Sequence, residues 1–164
     1  MSNPLLFSGE EGYTDAMGFL GSVWRRVFGR RERTARGRLG LWGEDRAVAW
    51  LGRHGYKIME RRVRVGRHDE IDIVAESREG GIREMVFVEV KTRSSDRYGG
   101  GMAAMDSRKC HALSRAAMGF MRRFKHPRPP FRMDVIEVIG SPASDAVDIR
   151  HYRNAVSLEK KYGC

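Results

Sequence analysis

The sequence predicts an α/β fold, because two segments with helical periodicity and five segments rich in β-branched and aromatic residues follow one another along one chain. The chain has 164 residues, of which 41% are hydrophobic, and this is enough for one domain with a core of its own. Acidic residues interrupt the apolar runs of the central strands, and the formal net charge is +10. The candidate functional residues are therefore the charged ones that lie where a core is expected.

The first helical segment starts at Leu39 and ends at Gly52. Glu44 falls on the same face of this segment as the apolar residues Leu41, Val48 and Leu51. A carboxylate within an apolar stripe is costly unless it is paired or bound to a metal. Glu44 is therefore predicted either to form a salt bridge with an arginine that lines the core or to join an acidic site.

Three strands are predicted next, at 56–65, 69–75 and 84–91, and the last two form a hairpin. If the hairpin turns about Gly80 and Gly81, the numbers of paired residues sum to 161. In that register Asp72 lies opposite Glu89, and Glu70 lies opposite Lys91. The pattern thus places two carboxylates side by side on one face of the sheet.

Two like charges opposite each other destabilise a sheet unless a cation lies between them. Asp72, Glu89 and the backbone carbonyl of Val90 offer the oxygen ligands that Mg²⁺ or Mn²⁺ prefers, and Lys91 projects to the same face as Glu89. The alternative is a set of solvated charges on an edge strand. The nearly continuous apolar run at 85–90 instead favours a strand covered on both faces, which makes a metal site the better interpretation.

The second half of the chain begins with a polar segment, 94–106, which has three consecutive glycines and is interpreted either as a plain connector or as a flap over phosphate. A second helix then starts at Asp106 or Ser107. Its predicted buried face comprises Leu113, Ala117, Phe120, Met121 and Phe124, and its outer face comprises Arg108, His111, Arg115 and Arg122. Strands at 133–139 and 148–152 complete the predicted elements.

Composition divides the chain into a basic extension at 1–37, a domain at 38–158 and a tail at 159–164. Seven arginines lie between positions 25 and 38, which is typical of a solvated linker. Before them, apolar residues repeat at helical spacing around Trp24. The extension is interpreted as an ill-ordered segment or, alternatively, as an arm that binds nucleic acid, a membrane surface or a partner.

The charge balance predicts a polyanionic partner, since 31 lysines and arginines stand against 21 acidic residues and the isoelectric point is about 10.2. Nucleic acid is the expected partner. The predicted phosphate contacts are Arg93, Arg108, Lys109 and Arg115.

Other classes of site and location are disfavoured by what the sequence lacks. Cys110 and Cys164 form no CxxC pair and the five histidines show no ligand spacing, so neither a disulfide framework nor a zinc site is expected. No run of apolar residues is long enough to span a membrane, and no secretory signal is evident. We therefore expect a cytoplasmic protein without a membrane span.

Several motifs together resemble the YraN-like family of small bacterial proteins, within the restriction-endonuclease-like PD-(D/E)xK nuclease superfamily. The resemblance covers roughly 38–158 and rests on the runs GLWGE at 40–44, GYKI at 55–58, EID at 70–72, VFVEVKTR at 86–93 and RMDVI at 132–136. It implies a three-layer fold with a central mixed sheet of about five strands flanked by helices, similar to that of Holliday-junction resolvases. It further implies Asp72, Glu89 and Lys91 as the motif triad, with Glu44 as an additional acid from the helix.

The resemblance and the charges together predict a metal-dependent nuclease that hydrolyses phosphodiester bonds in DNA, including branched or single-stranded DNA. Asp72 and Glu89 are expected to hold Mg²⁺ or Mn²⁺, and Glu44 to bind the metal directly or through water. Lys91 is expected to orient or deprotonate the nucleophile or to stabilise developing charge; its place beside two carboxylates favours the last role. Resolvase-like relatives often act as symmetric dimers, so the resemblance also suggests a homodimer.

Two other functions remain open at this stage. One is a noncatalytic nucleic-acid-binding protein with a nuclease-like fold. The other is a membrane-associated adaptor that uses the helix around Trp24, and it depends on the extension alone.

Overall fold

A computed structural model describes residues 34–95, 107–144 and 146–157. The chain divides into two units between Arg38 and Leu39, and the fold below is that of the second unit. The predicted helix around Trp24, the three consecutive glycines at 99–101 and the tail at 159–164 lie outside the described residues. The proposed domain boundaries at 37 and 158 therefore stay predictions.

The described residues form two α-helices and five β-strands in the predicted order. A single turn of 3₁₀-helix, Glu79–Gly81, joins the two strands of the central hairpin. In chain order the elements are α1 (Ala35–Arg53), β1 (Lys57–Val65), β2 (Asp69–Ser77), β3 (Glu84–Arg93), α2 (Ser107–Met121), β4 (Phe131–Ile139) and β5 (Asp148–Val156).

The five strands form one mixed sheet in the order β1-β2-β3-β4-β5. Neighbouring strands are antiparallel except β3 and β4, which are parallel because α2 lies between them in the chain and returns it to the starting end. The α/β class predicted from the sequence is confirmed.

Each face of the sheet carries its own apolar cluster. One cluster joins α2, through Leu113 and Phe120 among others, to Phe87 of β3 and Val135 of β4. The other joins Leu51 of α1 to residues that alternate with the first set, including Val86, Val88, Ile136 and Val138. The sheet is thus covered by one helix on each side, and the molecule has three layers.

The predicted buried face of α2 is confirmed. Leu113, Ala117, Phe120 and Met121 are buried, while Phe124 follows the helix and is partly buried against the same cluster. The four residues predicted to face outward, Arg108, His111, Arg115 and Arg122, are all exposed. Helical periodicity alone was sufficient for this assignment because an amphipathic helix has one apolar stripe.

The hairpin register is the one that the sequence predicts. The pairs run from Ser77 and Glu84 to Ile73 and Val88, and every pair sums to 161. Gly80 and Gly81 both have positive φ angles, of 65° and 78°, which a glycine adopts without strain. The ladder ends at Ile73 and Val88, so the predicted pairs of Asp72 with Glu89 and of Glu70 with Lys91 are not part of it. Both strands continue for several residues, and β2 and β3 separate at the end distant from the turn.

Strand β1 departs from regular geometry. Its register shifts between Ile58 and Glu60, and Arg62 has a φ of 51°. Successive side chains of a regular strand point to opposite faces, but Arg61 and Arg62 both reach α1, where they pair with Asp45 and Glu44. The positive φ of Arg62 allows this because it breaks the alternation.

One expectation from the sequence is corrected. The last strand continues to Val156, four residues beyond the predicted end at 152. Cys110, which is buried on α2, is disulfide-bonded. With two cysteines in the chain, this is one bond and not a framework.

Candidate functional site

Asp72 lies just beyond the last pair of the β2–β3 ladder. Its side chain is almost buried, and its Oδ2 accepts a hydrogen bond from the backbone N–H of Val90 at 2.8 Å. A carboxylate therefore acts as the acceptor for an amide of β3 at the point where the two strands separate. This contact holds Asp72 against the segment that carries Glu89 and Lys91.

Glu89 and Lys91 lie two residues apart on β3, and the structure brings them together. Lys91 Nζ lies 2.7 Å from Glu89 Oε1, and the side chains are 17% and 14% exposed. They are therefore accessible to a ligand but shielded enough for their charges to act strongly on it. The predicted triad of Asp72, Glu89 and Lys91 converges at one place in the fold.

Glu44 is buried, as the apolar stripe of α1 predicts, and its Oε2 accepts a hydrogen bond from Arg62 Nε at 2.6 Å. Of the two alternatives for Glu44, the salt bridge is the one observed. Gly43 places this part of α1 directly against β3, because a Cβ atom at Gly43 would lie 1.8 Å from Thr92 Oγ1. Gly43, which precedes Glu44 in α1, therefore packs against Thr92, which follows Lys91 in β3.

The donor chemistry of this site suits a hard divalent cation, since Asp72 and Glu89 supply carboxylate oxygens. The N–H and C=O of a strand residue point to the same neighbouring strand, so the Val90 carbonyl points toward the Asp72 side, as its N–H does. Within the described part of the chain, no three His, Cys, Asp or Glu side chains are grouped to hold a metal. Glu44 is therefore not grouped with Asp72 and Glu89 as a third ligand.

The four predicted phosphate contacts fall into different environments. Arg108 and Lys109 are exposed in the first turn of α2. Arg93 is largely buried beside Glu137. Arg115 is exposed but forms two hydrogen bonds with Asp69, at 3.1 and 2.8 Å.

The pairing of Asp69 and Arg115 changes the acidity of the carboxyl group. Hydrogen bonding from Arg115 holds the pKa of Asp69 below its ordinary value, against a smaller opposing effect of burial. Arg115 therefore joins α2 to the start of β2.

Sequence analysis missed Glu137 on β4. Its side chain is completely buried, and it is the register partner of Lys91 in the parallel β3–β4 ladder. The signal was available, because Glu137 interrupts an apolar run in the same way as Asp72 and Glu89 do. Arg150 and Tyr152 of the neighbouring strand β5, which form an ion pair and a hydrogen bond with Glu137, were not predicted either.

Another buried carboxylate, Asp134, lies on the face of the sheet opposite to Glu137. It is completely buried, and it accepts hydrogen bonds from Arg132 Nε at 3.1 Å and from the backbone N–H of Asn154 at 2.8 Å. His151 Nε2 lies 2.8 Å from its other oxygen. Arg132 also donates to Tyr56 and pairs with Glu84, so this network joins β3, β4 and β5 to the segment after α1.

One more buried carboxylate, Glu76, lies on β2 near the hairpin turn. It accepts hydrogen bonds from Arg78 Nε at 2.7 Å and Arg83 Nε at 2.6 Å. Burial raises the pKa of Glu76, but the hydrogen bonds and charges of the two arginines outweigh burial and leave the pKa below its ordinary value.

None of the described helices is both long enough and apolar enough to span a membrane.

Comparison with known proteins gives a consistent family assignment. The sequence model of the family described as "Uncharacterised protein family UPF0102" matches residues 43–138. A UPF0102 protein of Geobacter metallireducens is 42% identical over 120 residues, which are 73% of this chain and 93% of that relative. UPF0102 proteins of Trichlorobacter lovleyi and Methylibium petroleiphilum are 39% and 42% identical, over 73% and 62% of this chain and 91% and 84% of the relatives.

Proposed function

Because the chain belongs to the uncharacterised protein family UPF0102, whose description states no activity, we propose a function from the site itself: a metal-dependent nuclease that hydrolyses phosphodiester bonds in DNA. The observation that carries the proposal is the hydrogen bond of Asp72 with the Val90 amide beside the pair of Glu89 and Lys91. Two carboxylates and a lysine meet where β2 and β3 separate, in a protein of net charge +10.

Asp72, Glu89 and the Val90 carbonyl are the groups that would hold Mg²⁺ or Mn²⁺. When bound, the metal supplies Lewis-acid activation of water and neutralises charge on the phosphate. Glu44 is held by Arg62, so its part in the site is to act through water or to position the middle of α1. This assignment agrees with the absence of a three-carboxylate group among the described side chains.

Lys91 is proposed to stabilise the negative charge that develops on the phosphate. Its ammonium group is fixed at the site by Glu89, at 2.7 Å, and needs no large movement to face a substrate beside that carboxylate. A fixed cation reduces the reorganisation that the transition state requires. The substrate is drawn to the site by the positive charge of the whole protein.

The test is cleavage of labelled duplex, single-stranded and four-way-junction DNA with Mg²⁺ or Mn²⁺. Wild type is expected to cut at least one of these substrates only in the presence of metal. Asp72→Asn and Lys91→Met are each expected to lower the rate by about 10²-fold or more, because each removes a charge that acts on the transition state.

Glu76→Gln is the matched control, since Glu76 is also a buried carboxylate of β2 but lies at the opposite end of the hairpin. Its folded fraction is expected to cut DNA at the wild-type rate. An equal loss of activity in Glu76→Gln and Asp72→Asn would contradict the assignment of the site, and metal-independent cutting would contradict the mechanism.

A noncatalytic nucleic-acid-binding protein is the second candidate, and one observation favours it. The three acids of the site have partners within the protein: Glu44 has Arg62, Glu89 has Lys91, and Asp72 has the Val90 amide. Such internal pairing stabilises a fold without any metal. Tight, salt-dependent DNA binding with no cleavage under any metal condition would select this candidate.

A further inference from the structure

The turn between β1 and β2, which we name the basic turn, consists of Gly66, Arg67 and His68. The register pair of Val65 with Asp69 closes it. Gly66 has a φ of 69°, which allows the chain to reverse within three residues. Arg67 and His68 are exposed, and neither forms an ion pair with another residue that the structure describes. The basic turn therefore presents nitrogen donors to solvent.

Contacts on both sides hold the basic turn against α2. After the turn, Asp69 accepts two hydrogen bonds from Arg115, at 3.1 and 2.8 Å. Before the turn, Val65 packs so closely against Gly119 that a Cβ atom added at Gly119 would lie 2.4 Å from Val65 Cγ1. Arg115 and Gly119 lie four residues apart on α2 and therefore on one face of it. The basic turn is thus held at both ends, and a ligand that binds it has little conformational entropy to remove.

The basic turn lies at the same end of β2 as the candidate site. Strand β2 begins at Asp69, directly after the turn, and Asp72 lies on it where β2 and β3 separate. Arg67 precedes Asp72 by five positions, so the Cα atoms of these two residues are at most about 18 Å apart. Each strand of a DNA duplex rises about 3.4 Å per nucleotide. One DNA strand that meets Asp72 can therefore also meet Arg67, within about five nucleotides.

We propose that the basic turn binds a backbone phosphate of the nucleic-acid strand that meets Asp72. The inference rests on the proposed function, because it takes the ligand of the carboxylate site to be nucleic acid. Arg67 is the main contact, since a guanidinium group matches the oxygens of a phosphate, and His68 adds a ring N–H. Arg115 acts differently: through its pair with Asp69 it positions the basic turn. The contact lies outside the four phosphate contacts that the sequence predicted.

The experiment measures binding of labelled duplex and single-stranded DNA in the presence of EDTA, so that no cleavage occurs, across a series of salt concentrations. Arg67→Ala is expected to reduce the slope of log K against log salt by about 0.9 for duplex and about 0.7 for single-stranded DNA, because one phosphate contact is lost. Arg53→Ala is the matched control. Arg53 is also exposed and has no ion pair among the described residues, but it ends α1, just before the opposite end of β1. Its removal is expected to leave the slope unchanged.

Gly119→Ala tests the position of the basic turn without a change of charge. Its Cβ atom would lie 2.4 Å from Val65 Cγ1, so Val65 and the turn that follows it have to move. The folded variant is expected to bind DNA several-fold more weakly than wild type, and Arg67→Ala is expected to add no further loss to it. Gly52→Ala, on α1, is the control, because no atom lies within 4 Å of its added Cβ, and it is expected to bind as wild type does. Thermal unfolding of each variant checks that it is folded.

The outcomes distinguish this inference from the proposed function. Equal salt slopes for Arg67→Ala and Arg53→Ala would overturn the phosphate contact even if the wild type cuts DNA. Wild-type binding by folded Gly119→Ala would overturn the positioning of the basic turn by α2. Conversely, a smaller slope for Arg67→Ala alone, without any cleavage by wild type, would support the contact and refute the nuclease. Absence of DNA binding by wild type would refute both.

Discussion

At the turn end of the β2–β3 hairpin, the buried carboxylate of Glu76 receives two guanidinium groups, at 2.7 and 2.6 Å. At the open end, Asp72 accepts a hydrogen bond from the backbone amide of Val90, and Glu89 forms an ion pair with Lys91. On the opposite face of the sheet, Asp134 is enclosed by Arg132, His151 and the Asn154 amide. Acidic side chains thus lie at several places in one small sheet, and different kinds of hydrogen-bond donor compensate their negative charges.

The difference indicates which acids are structural. Arginines pair with Glu76 within the hairpin and with Asp134 within a network that joins separate strands, and such pairs stabilise a fold only while both partners remain. The open end instead places two carboxylates near one lysine where the strands separate, which is where a ligand can enter. Burial alone did not distinguish these acids; the identity of their donors did.

The largest expected effect tests this comparison through stability. Asp134→Asn is expected to lower the free energy of unfolding by about 3 kcal/mol, because Arg132 loses one of its two buried carboxylate partners and keeps only Glu84. Asp72→Asn is expected to cost about 1 kcal/mol or less, since an amide oxygen still accepts the Val90 N–H. Urea denaturation measures both values. Similar losses in the two variants would show that Asp72 is as structural as Asp134.

An intermediate effect is expected at the contact between α1 and β3. Gly43→Ala would place a Cβ atom 1.8 Å from Thr92 Oγ1, and the resulting overpacking is expected to cost about 1–3 kcal/mol of unfolding free energy. Gly52→Ala is the control in the same helix, because no atom lies within 4 Å of the added Cβ. It is expected to stabilise the protein by about 0.5–1 kcal/mol.

Gly43→Ala and Gly52→Ala also test whether Glu44 contributes to the candidate site. A shift of α1 at Gly43 moves Glu44 relative to Lys91, so DNA cleavage by the folded Gly43→Ala protein is expected to fall. Gly52→Ala is expected to retain the wild-type rate. Unchanged cleavage in Gly43→Ala would mean that Glu44 has no part in the site.

The smallest expected effect concerns acid unfolding at the turn end. The pKa of Glu76 is lower in the folded protein than its ordinary value of 4.5, so its pairing stabilises the fold at pH values above 4.5. That contribution is lost as the pH falls below 4.5 and through the folded pKa. Urea midpoints of wild type are expected to decline in this range, and those of Glu76→Gln to decline less. If the urea midpoints of wild type and Glu76→Gln declined in parallel, Glu76 would not contribute to acid unfolding.

The sequence predicted the elements and the hairpin register well because both depend on local patterns. Gly80 and Gly81 determine the position of the turn. The alternation of apolar residues determines the register of the two strands, as far as the pair Ile73 and Val88. The convergence of Glu89 and Lys91 followed from their spacing on one strand. The family assignment agrees with the motifs that contain these residues.

Contacts between distant elements were less predictable. The pairing of Glu44 with Arg62 depends on a positive φ at Arg62, and an arginine in a strand gives no sign of such a conformation. The approach of Arg150 to Glu137 depends on the order of β4 and β5 in the sheet, which single-strand patterns do not specify. These contacts therefore became visible only once the strands were placed together.

The charges on the two outermost strands have a consequence for self-association. Arg61, Arg62 and Arg64 follow one another along β1, and Arg150 and Arg153 lie on β5. Arg61, Arg62, Arg150 and Arg153 form ion pairs within the protein. A second copy that extended the sheet at either edge would have to bring its strand beside these charged pairs, and charged residues on an edge strand oppose the open-ended growth of a sheet.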